Sequence, residues 1–152
     1  MELKHFVAKA KKDTYASGKK AEKLPDGSER FIFEDGEWKY QDTYFAFDND
    51  FAGAFFGTEI VWHAGKISWC MNYYGQVKSS EANTEKVYAF LRKAMSQLSA
   101  DRPFRGPSRL KEEDFEYRDE SEGDINQFRG TEIILYRGKE VYRLEYHGGI
   151  IQ

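Results

Sequence analysis

Residues 57–75 read Gly57-Thr58-Glu59-Ile60-Val61-Trp62-His63-Ala64-Gly65-Lys66-Ile67-Ser68-Trp69-Cys70-Met71-Asn72-Tyr73-Tyr74-Gly75. The pattern returns near the C-terminus as Gly130-Thr131-Glu132-Ile133-Ile134-Leu135-Tyr136-Arg137-Gly138-Lys139-Glu140-Val141-Tyr142-Arg143-Leu144-Glu145-Tyr146-His147-Gly148. In each stretch two β-prone runs flank a non-glycine residue followed by glycine, Ala64-Gly65 and Arg137-Gly138, which predicts a hairpin with a two-residue loop. Shifted by 73, residues 55–75 and 128–148 are identical at nine of 21 positions, where average residue frequencies give about one.

The similarity extends outward. Trp38-Lys39-Tyr40-Gln41-Asp42 aligns with Phe115-Glu116-Tyr117-Arg118-Asp119, and Phe6-Val7-Ala8-Lys9-Ala10 with Phe90-Leu91-Arg92-Lys93-Ala94. These matches predict one domain over residues 1–152 with an internal repeat, 1–77 and 84–150. A period near half the chain points to a pseudo-two-fold domain, since a solenoid needs more repeats. The expected fold is α+β: two pseudo-symmetric helix–β–β–β units, with antiparallel sheet and two helices packed on the core face.

Along the chain, Leu3, Phe6, Val7 and Ala10 make one helix face, with lysines assigned to the other. Residues 18–30 read as a polar loop and Phe31-Ile32-Phe33 as a short strand. Trp38, Tyr40, Asp42 and Tyr44 alternate with polar residues, and Asp48-Asn49-Asp50 breaks the strand. Asn83 or Thr84 caps a second helix with the stripe Val87, Phe90, Leu91, Ala94 and Leu98. Two prolines and Gly106 end it in an extended loop from Asp101 to Pro107, and Glu122-Gly123-Asp124 reads as a turn.

A two-residue loop fixes register. Facing residue numbers then sum to 129 in the first hairpin and 275 in the second. This puts Thr58, Ile60, Trp62, Ile67, Trp69, Met71 and Tyr73 on the core face. Glu59, Val61, His63, Cys70, Asn72 and Tyr74 go to the other face, with Glu132, Ile134, Val141, Arg143, Glu145 and His147 in the second hairpin. Solvent alone does not demand Val61, Ile134 and Val141 there, so part of this face is expected to line a cleft.

Composition narrows the function. Apolar residues are 40% of the chain, aromatics 16%, and the net charge is −3, a globular profile without the basic footprint of a nucleic-acid binder. A lone Cys70 excludes a disulfide framework. Without a membrane-length apolar run or a signal-peptide core, the expected compartment is the cytoplasm, with no membrane partner. Three histidines without ligand spacing predict no metal and no cofactor.

Within the inferred register Glu59 faces Cys70 and has no cation opposite. It reads either as a solvated surface carboxylate or as a partly buried binding or proton-transfer group. Glu132 faces Arg143, an ordinary cross-strand pair. Asn72 faces Gly57 and Glu145 faces Gly130, so each polar side chain either borders space for a ligand atom or sits beside a glycine that shapes a strand. Tyr44, Tyr74 and His147 offer rings and hydrogen bonds. The candidate ligand site is therefore Glu59, Asn72, Tyr74, Tyr44, Glu145 and His147, with no catalytic residue assigned.

Lys9-Ala10-Lys11 through Thr14-Tyr15-Ala16, Asp42-Thr43-Tyr44-Phe45, Met71-Asn72-Tyr73-Tyr74-Gly75, Pro103-Phe104-Arg105-Gly106-Pro107, Glu122-Gly123-Asp124 and Tyr146-His147-Gly148-Gly149 together resemble a bacterial domain-of-unknown-function family. Its members occur alone or C-terminal to helix-turn-helix regulators. The resemblance implies a sensor role and supplies no catalytic residues. In outline the duplicated architecture is also similar to gyrase-inhibitor-like ligand-binding domains, an analogy of fold only. The leading expectation is a small-molecule-binding domain with its cleft between the two copies. Its alternatives are a homodimeric interaction module and an enzyme using Glu59 or Glu145 as general acid or base.

Overall fold

A computed structural model describes residues 1–47 and 53–152, the side chain of Phe47 excepted. Helix α1 (Leu3–Asp13) and a single 3-10 turn (Tyr15–Ser17) are followed by β1 (Glu22–Lys23), β2 (Glu29–Asp35), β3 (Trp38–Phe47), β4 (Ala54–His63) and β5 (Lys66–Val77). Helix α2 (Thr84–Met95) then leads to β6 (Arg109–Glu112), β7 (Phe115–Asp124), β8 (Gln127–Tyr136) and β9 (Lys139–Ile150). The expected break at Asp48-Asn49-Asp50 lies outside the described residues.

The expected α+β class does not hold. All nine strands form one sheet, in the order β1-β2-β3-β4-β5-β9-β8-β7-β6. About 53% of the chain is strand and 18% helix, so the protein is mainly β. The physical reason lies at the flanks. Segments too polar to read as strands, Glu22–Lys23 and Arg109–Glu112, extend the outer edges of the sheet, where solvent accepts polar side chains on both faces. Strands also outrun their hydrophobic signal. The Glu122-Gly123-Asp124 turn belongs to β7, and Gly148 and Gly149 belong to β9.

Both hairpin loops have the conformation their sequences demand. Ala64 and Gly65 have φ of 50° and 78°, and Arg137 and Gly138 have 49° and 81°. Two successive left-handed residues match the twist of the flanking strands. The register beyond the loops departs from expectation. Trp62 pairs with Ile67, but Val61 pairs with Trp69, so Ser68 is an extra residue on β5. Likewise Leu135 pairs with Glu140 and Ile134 with Tyr142, leaving Val141 extra. These are β-bulges, 73 residues apart. Each shifts every later pair by one, and a one-residue slip exchanges the faces.

The bulge moves Glu59, Val61 and Gly57 onto the face of Trp69, Met71 and Tyr73. Val61 and Ile134 are fully buried there, which explains the apolar residues that fitted solvent badly. The facing pairs change with it. Glu59 opposes Met71 and Asn72 opposes Thr58, while Glu132 opposes Leu144 and Glu145 opposes Thr131. The expected pairs Glu59–Cys70, Asn72–Gly57, Glu132–Arg143 and Glu145–Gly130 do not form.

Phe6, Val7 and Ala10 of α1 share one apolar core with Val87, Leu91 and Ala94 of α2 and with Val61, Trp69, Met71, Ile134 and Leu144 of the sheet. Asn83 caps α2, its side chain accepting from the Lys86 backbone N–H at 3.1 Å, while Arg92 and Lys93 complement the helix dipole at the other end. At the centre of the sheet β5 and β9 run antiparallel with Tyr73 opposite Tyr146. The pair Trp69–Ile150 is followed four residues on by Tyr73–Tyr146 and then by Val77–Tyr142. Adding 73 to Trp69 gives Tyr142, and to Val77 gives Ile150, so the seam's outer pairs exchange under that shift.

Candidate functional site

The inward face of β3–β5 carries two carboxylates where an alternating strand pattern would place apolar side chains. Asp42 and Glu59 lie directly opposite each other across β3 and β4. Their side chains stand on the buried face, Asp42 7% and Glu59 2% exposed. Tyr40, two residues before Asp42 on the same face, donates its hydroxyl to Glu59 Oε1. Tyr73 on β5 crosses over Gly57 of β4 and donates to Asp42 Oδ1 at 2.6 Å. Gly57 is what lets the ring lie across the strand, since a Cβ there would sit 2.5 Å from the Tyr73 hydroxyl oxygen.

A cation reaches this pair from α1. Lys11 is four residues after Val7 and so shares its apolar stripe, contrary to the reading that put the lysines on the outer face. The Lys11 side chain is 2% exposed. Its ammonium lies 3.1 Å from Glu59 Oε2 and donates to the Phe104 carbonyl. The ion pair with Lys11 is the one polar contact of the buried Glu59 Oε2 among the described residues. Burial pulls the Lys11 pKa down, and the nearby Glu59 charge opposes that shift. Burial, and then the Glu59 charge, pushes the Asp42 carboxyl up to about 7.

The same four residue types recur on β7–β9. Asp119 and Glu132 face each other across β7 and β8. Tyr117 donates to Glu132 Oε2 at 2.5 Å, and Tyr146 crosses Gly130 to donate to Asp119 Oδ1 at 2.8 Å. Here every carboxylate oxygen is answered. Arg105 grips Glu132 with two bonds, Nε to Oε2 at 3.1 Å and Nη2 to Oε1 at 3.0 Å. Tyr142 adds a bond to Oε1 at 2.8 Å. Arg102 lies 3.3 Å from Asp119 Oδ2. Bidentate, charge-assisted pairing of this kind is the strong form of a buried ion pair.

The buried loop Pro103–Gly106 ties the two quartets together. Phe104 accepts from Lys11, Arg105 holds Glu132, and the Gly106 N–H donates to the Tyr117 hydroxyl at 2.8 Å. The Arg105 guanidinium also stands 5.9 Å from the centre of the Tyr73 ring. Each tyrosine needs its glycine. A methyl group at Gly130 would fall inside the van der Waals envelope of the Tyr146 ring. We therefore expect Gly130→Ala to cost about 1–3 kcal/mol through overpacking, read as a lower urea midpoint. An unchanged midpoint would mean that the ring does not lie across that strand.

A cavity of about 510 Å³ opens beside the first quartet. Lys11, Asp42, Glu59, Tyr40 and Tyr73 form its polar end, with Arg105 at its side. Tyr15, Tyr44, Phe55 and Tyr88 supply aromatic walls, β1 contributes Lys23, and the β1–β2 loop contributes Leu24 and Ser28. Of the six residues expected at a ligand site, Glu59 and Tyr44 line this cavity. Asn72, Tyr74, Glu145 and His147 do not. They border a separate, open recess with Glu120, Arg129 and Thr131, in the strand positions that alternate with the core residues Tyr73 and Tyr146. The cavity is thus formed over the first half of the sheet, with Arg105 entering from the loop before β6.

Lys11, Asp42, Tyr40 and Arg105 are the residues that sequence reasoning missed. Signals existed for two of them. Asp42 sits in the apolar phase of Trp38, Tyr40 and Tyr44, and Lys11 sits on the stripe of Val7. A charged residue in an apolar phase marks a buried polar group that requires partners. No group of three or more His, Cys, Asp or Glu able to hold a metal occurs among the described residues, and no described helix is long and apolar enough to cross a membrane.

A family model described as "Domain of unknown function (DUF5680)" matches residues 42–151. Comparison with curated proteins and with solved structures finds no match.

Proposed function

We propose that this chain, which belongs to the DUF5680 family, binds a small molecule in the cavity beside Glu59. One observation carries the reading. Two quartets share their residues and their strand register, yet the Glu132 oxygens accept four hydrogen bonds, while Glu59 accepts one, from Tyr40, and among the described residues its buried Oε2 is met only by the Lys11 ammonium at 3.1 Å. A buried carboxylate oxygen with capacity for a further donor gains when a ligand supplies one, by about 1.5–3 kcal/mol for a charged group. Under-satisfied buried polar groups are uncommon in folded proteins and call for a physical explanation; this one lines a cavity. The sealed quartet serves the fold, and the open one serves binding. The cavity's size and its mixture of aromatic walls with a few converging polar groups suit a small organic ligand.

Glu59 and Asp42 would anchor the ligand's polar end. Tyr44 and Phe55 would cover its apolar body. The duplication inferred from the sequence would then have produced one structural and one functional copy of the same arrangement. The test is a thermal-shift screen against a broad metabolite library, run on the wild type and on Glu59→Gln in parallel. The expected result is a ligand that raises the wild-type midpoint and leaves the variant's unmoved. Hits that raise both midpoints equally would remove Glu59 from the site.

A further inference from the structure

We propose that the group bound beside Asp42 and Glu59 is a cation bearing N–H donors, an ammonium, amidinium or guanidinium, carried on an apolar or aromatic body. This rests on the ligand-binding reading and specifies its chemistry. The second quartet serves as the template. Two carboxylates directly opposite on adjacent strands repel each other, and Asp119 and Glu132 are held together by two guanidinium groups. Arg105 takes both oxygens of Glu132, and Arg102 approaches Asp119 at 3.3 Å.

The first quartet has one cation for the same two acids. Lys11 ion-pairs with Glu59 but directs a hydrogen bond to the Phe104 carbonyl. Asp42 has no ion-pair partner among the described residues, and it accepts from the neutral hydroxyl of Tyr73. Both acids line the cavity. An anion entering there would meet the Glu59 carboxylate and, at neutral pH, a partly ionised Asp42. Arg105 could not compensate, because its Nε and Nη2 are committed to Glu132. A cation meets Glu59 Oε2, whose one polar contact among the described residues is the Lys11 ammonium, and the aromatic side chains of Tyr15 and Tyr44, whose ring faces attract positive charge through their quadrupoles. Elsewhere in the cavity lining Lys23 and Glu29 carry opposite charges. Burial and then the Glu59 charge hold the Asp42 pKa up, and the more distant charges of Lys11 and Arg105 only partly oppose them.

Benzamidine, benzamide and benzoate share a ring and differ in charge at one end, so they separate the cases. Each is titrated calorimetrically into the whole protein at neutral pH, and backbone amide NMR shifts locate the binding. The expected result is benzamidine binding about tenfold or more tighter than benzamide, benzoate weakest, and shifts at Lys11, Asp42 and Glu59. Asp42→Asn and Glu59→Gln should each bring the benzamidine-to-benzamide ratio close to one. The wild-type ratio stands by itself if a variant fails to fold. Benzamide or benzoate binding as tightly as benzamidine, with the same residues shifted, overturns the cationic assignment and leaves the cavity reading standing. No shift at those residues with any probe at millimolar concentration overturns both.

Discussion

Arg105→Ala is expected to lower the unfolding free energy by about 3–5 kcal/mol, the cost of removing one partner from a buried ion pair. Glu132 is fully buried. Without Arg105 it keeps the hydroxyls of Tyr117 and Tyr142 but loses its cation and two of its four hydrogen bonds. Domains have about 5–15 kcal/mol in total, so the loss is a large share and should appear as a fall in urea midpoint with little change in slope. Changing both partners, Arg105→Met with Glu132→Gln, should recover much of it, because no buried charge is then left alone. Arg102→Ala is the comparison, since the Arg102 side chain is 34% exposed and its pair with Asp119 is partly screened. A cost below about 1 kcal/mol for Arg105→Ala would show that the second quartet does not hold the fold.

Asp42→Asn is expected to act in the opposite direction and only at higher pH. Burial, and then Glu59, raises the folded-state pKa of Asp42 to about 7, against about 3.9 in an unfolded chain. Between those values the folded protein holds a proton that the unfolded chain has released. Stability therefore falls as pH rises through that window and levels off above it. At roughly 1.4 kcal/mol per pH unit the fall reaches up to about 4 kcal/mol. Asp119, raised to about 6 by burial and then by Glu132, contributes a smaller fall of the same sign. Asparagine keeps an acceptor for Tyr73 and removes the ionisation. The variant should match the wild type near pH 4 and exceed it by a few kcal/mol near pH 8, measured by urea unfolding across that range. A variant less stable than the wild type near pH 8 would mean that the Asp42 charge is productively paired in the fold.

The hairpins were legible because a two-residue turn with glycine at its second position admits few conformations. The faces of their strands were not. Ser68 and Val141 each occupy a bulge, and nothing in a serine or a valine announces an extra residue in a strand. The slip did leave a trace, since Val61 and Ile134 fitted the solvent face poorly. Read as a register error, that misfit would have turned Glu59 inward and set it beside Asp42. The glycines opposite polar residues carried a second trace. Gly57 and Gly130 do leave space, but tyrosine rings from the neighbouring strand fill it. The edge strands Glu22–Lys23 and Arg109–Glu112 carried little signal, because backbone pairing at a solvated edge asks almost nothing of side chains. Arg105 was unreadable for another reason. A loop of proline, phenylalanine, arginine and glycine gives no indication that its arginine is buried until the carboxylate it meets, 27 residues away, has been placed.

Carboxyl-carbon NMR of the aspartates and glutamates tests most directly whether the first quartet is an open binding site and the second a closed structural one. Asp42 should titrate near 7 in the free protein, and saturating benzamidine should lower its midpoint, as a cation beside a carboxylate must. The Glu132 carbon should not respond to the probe. Asp42 titrating in the ordinary carboxylate range near 4, with its carbon indifferent to benzamidine, would contradict the account.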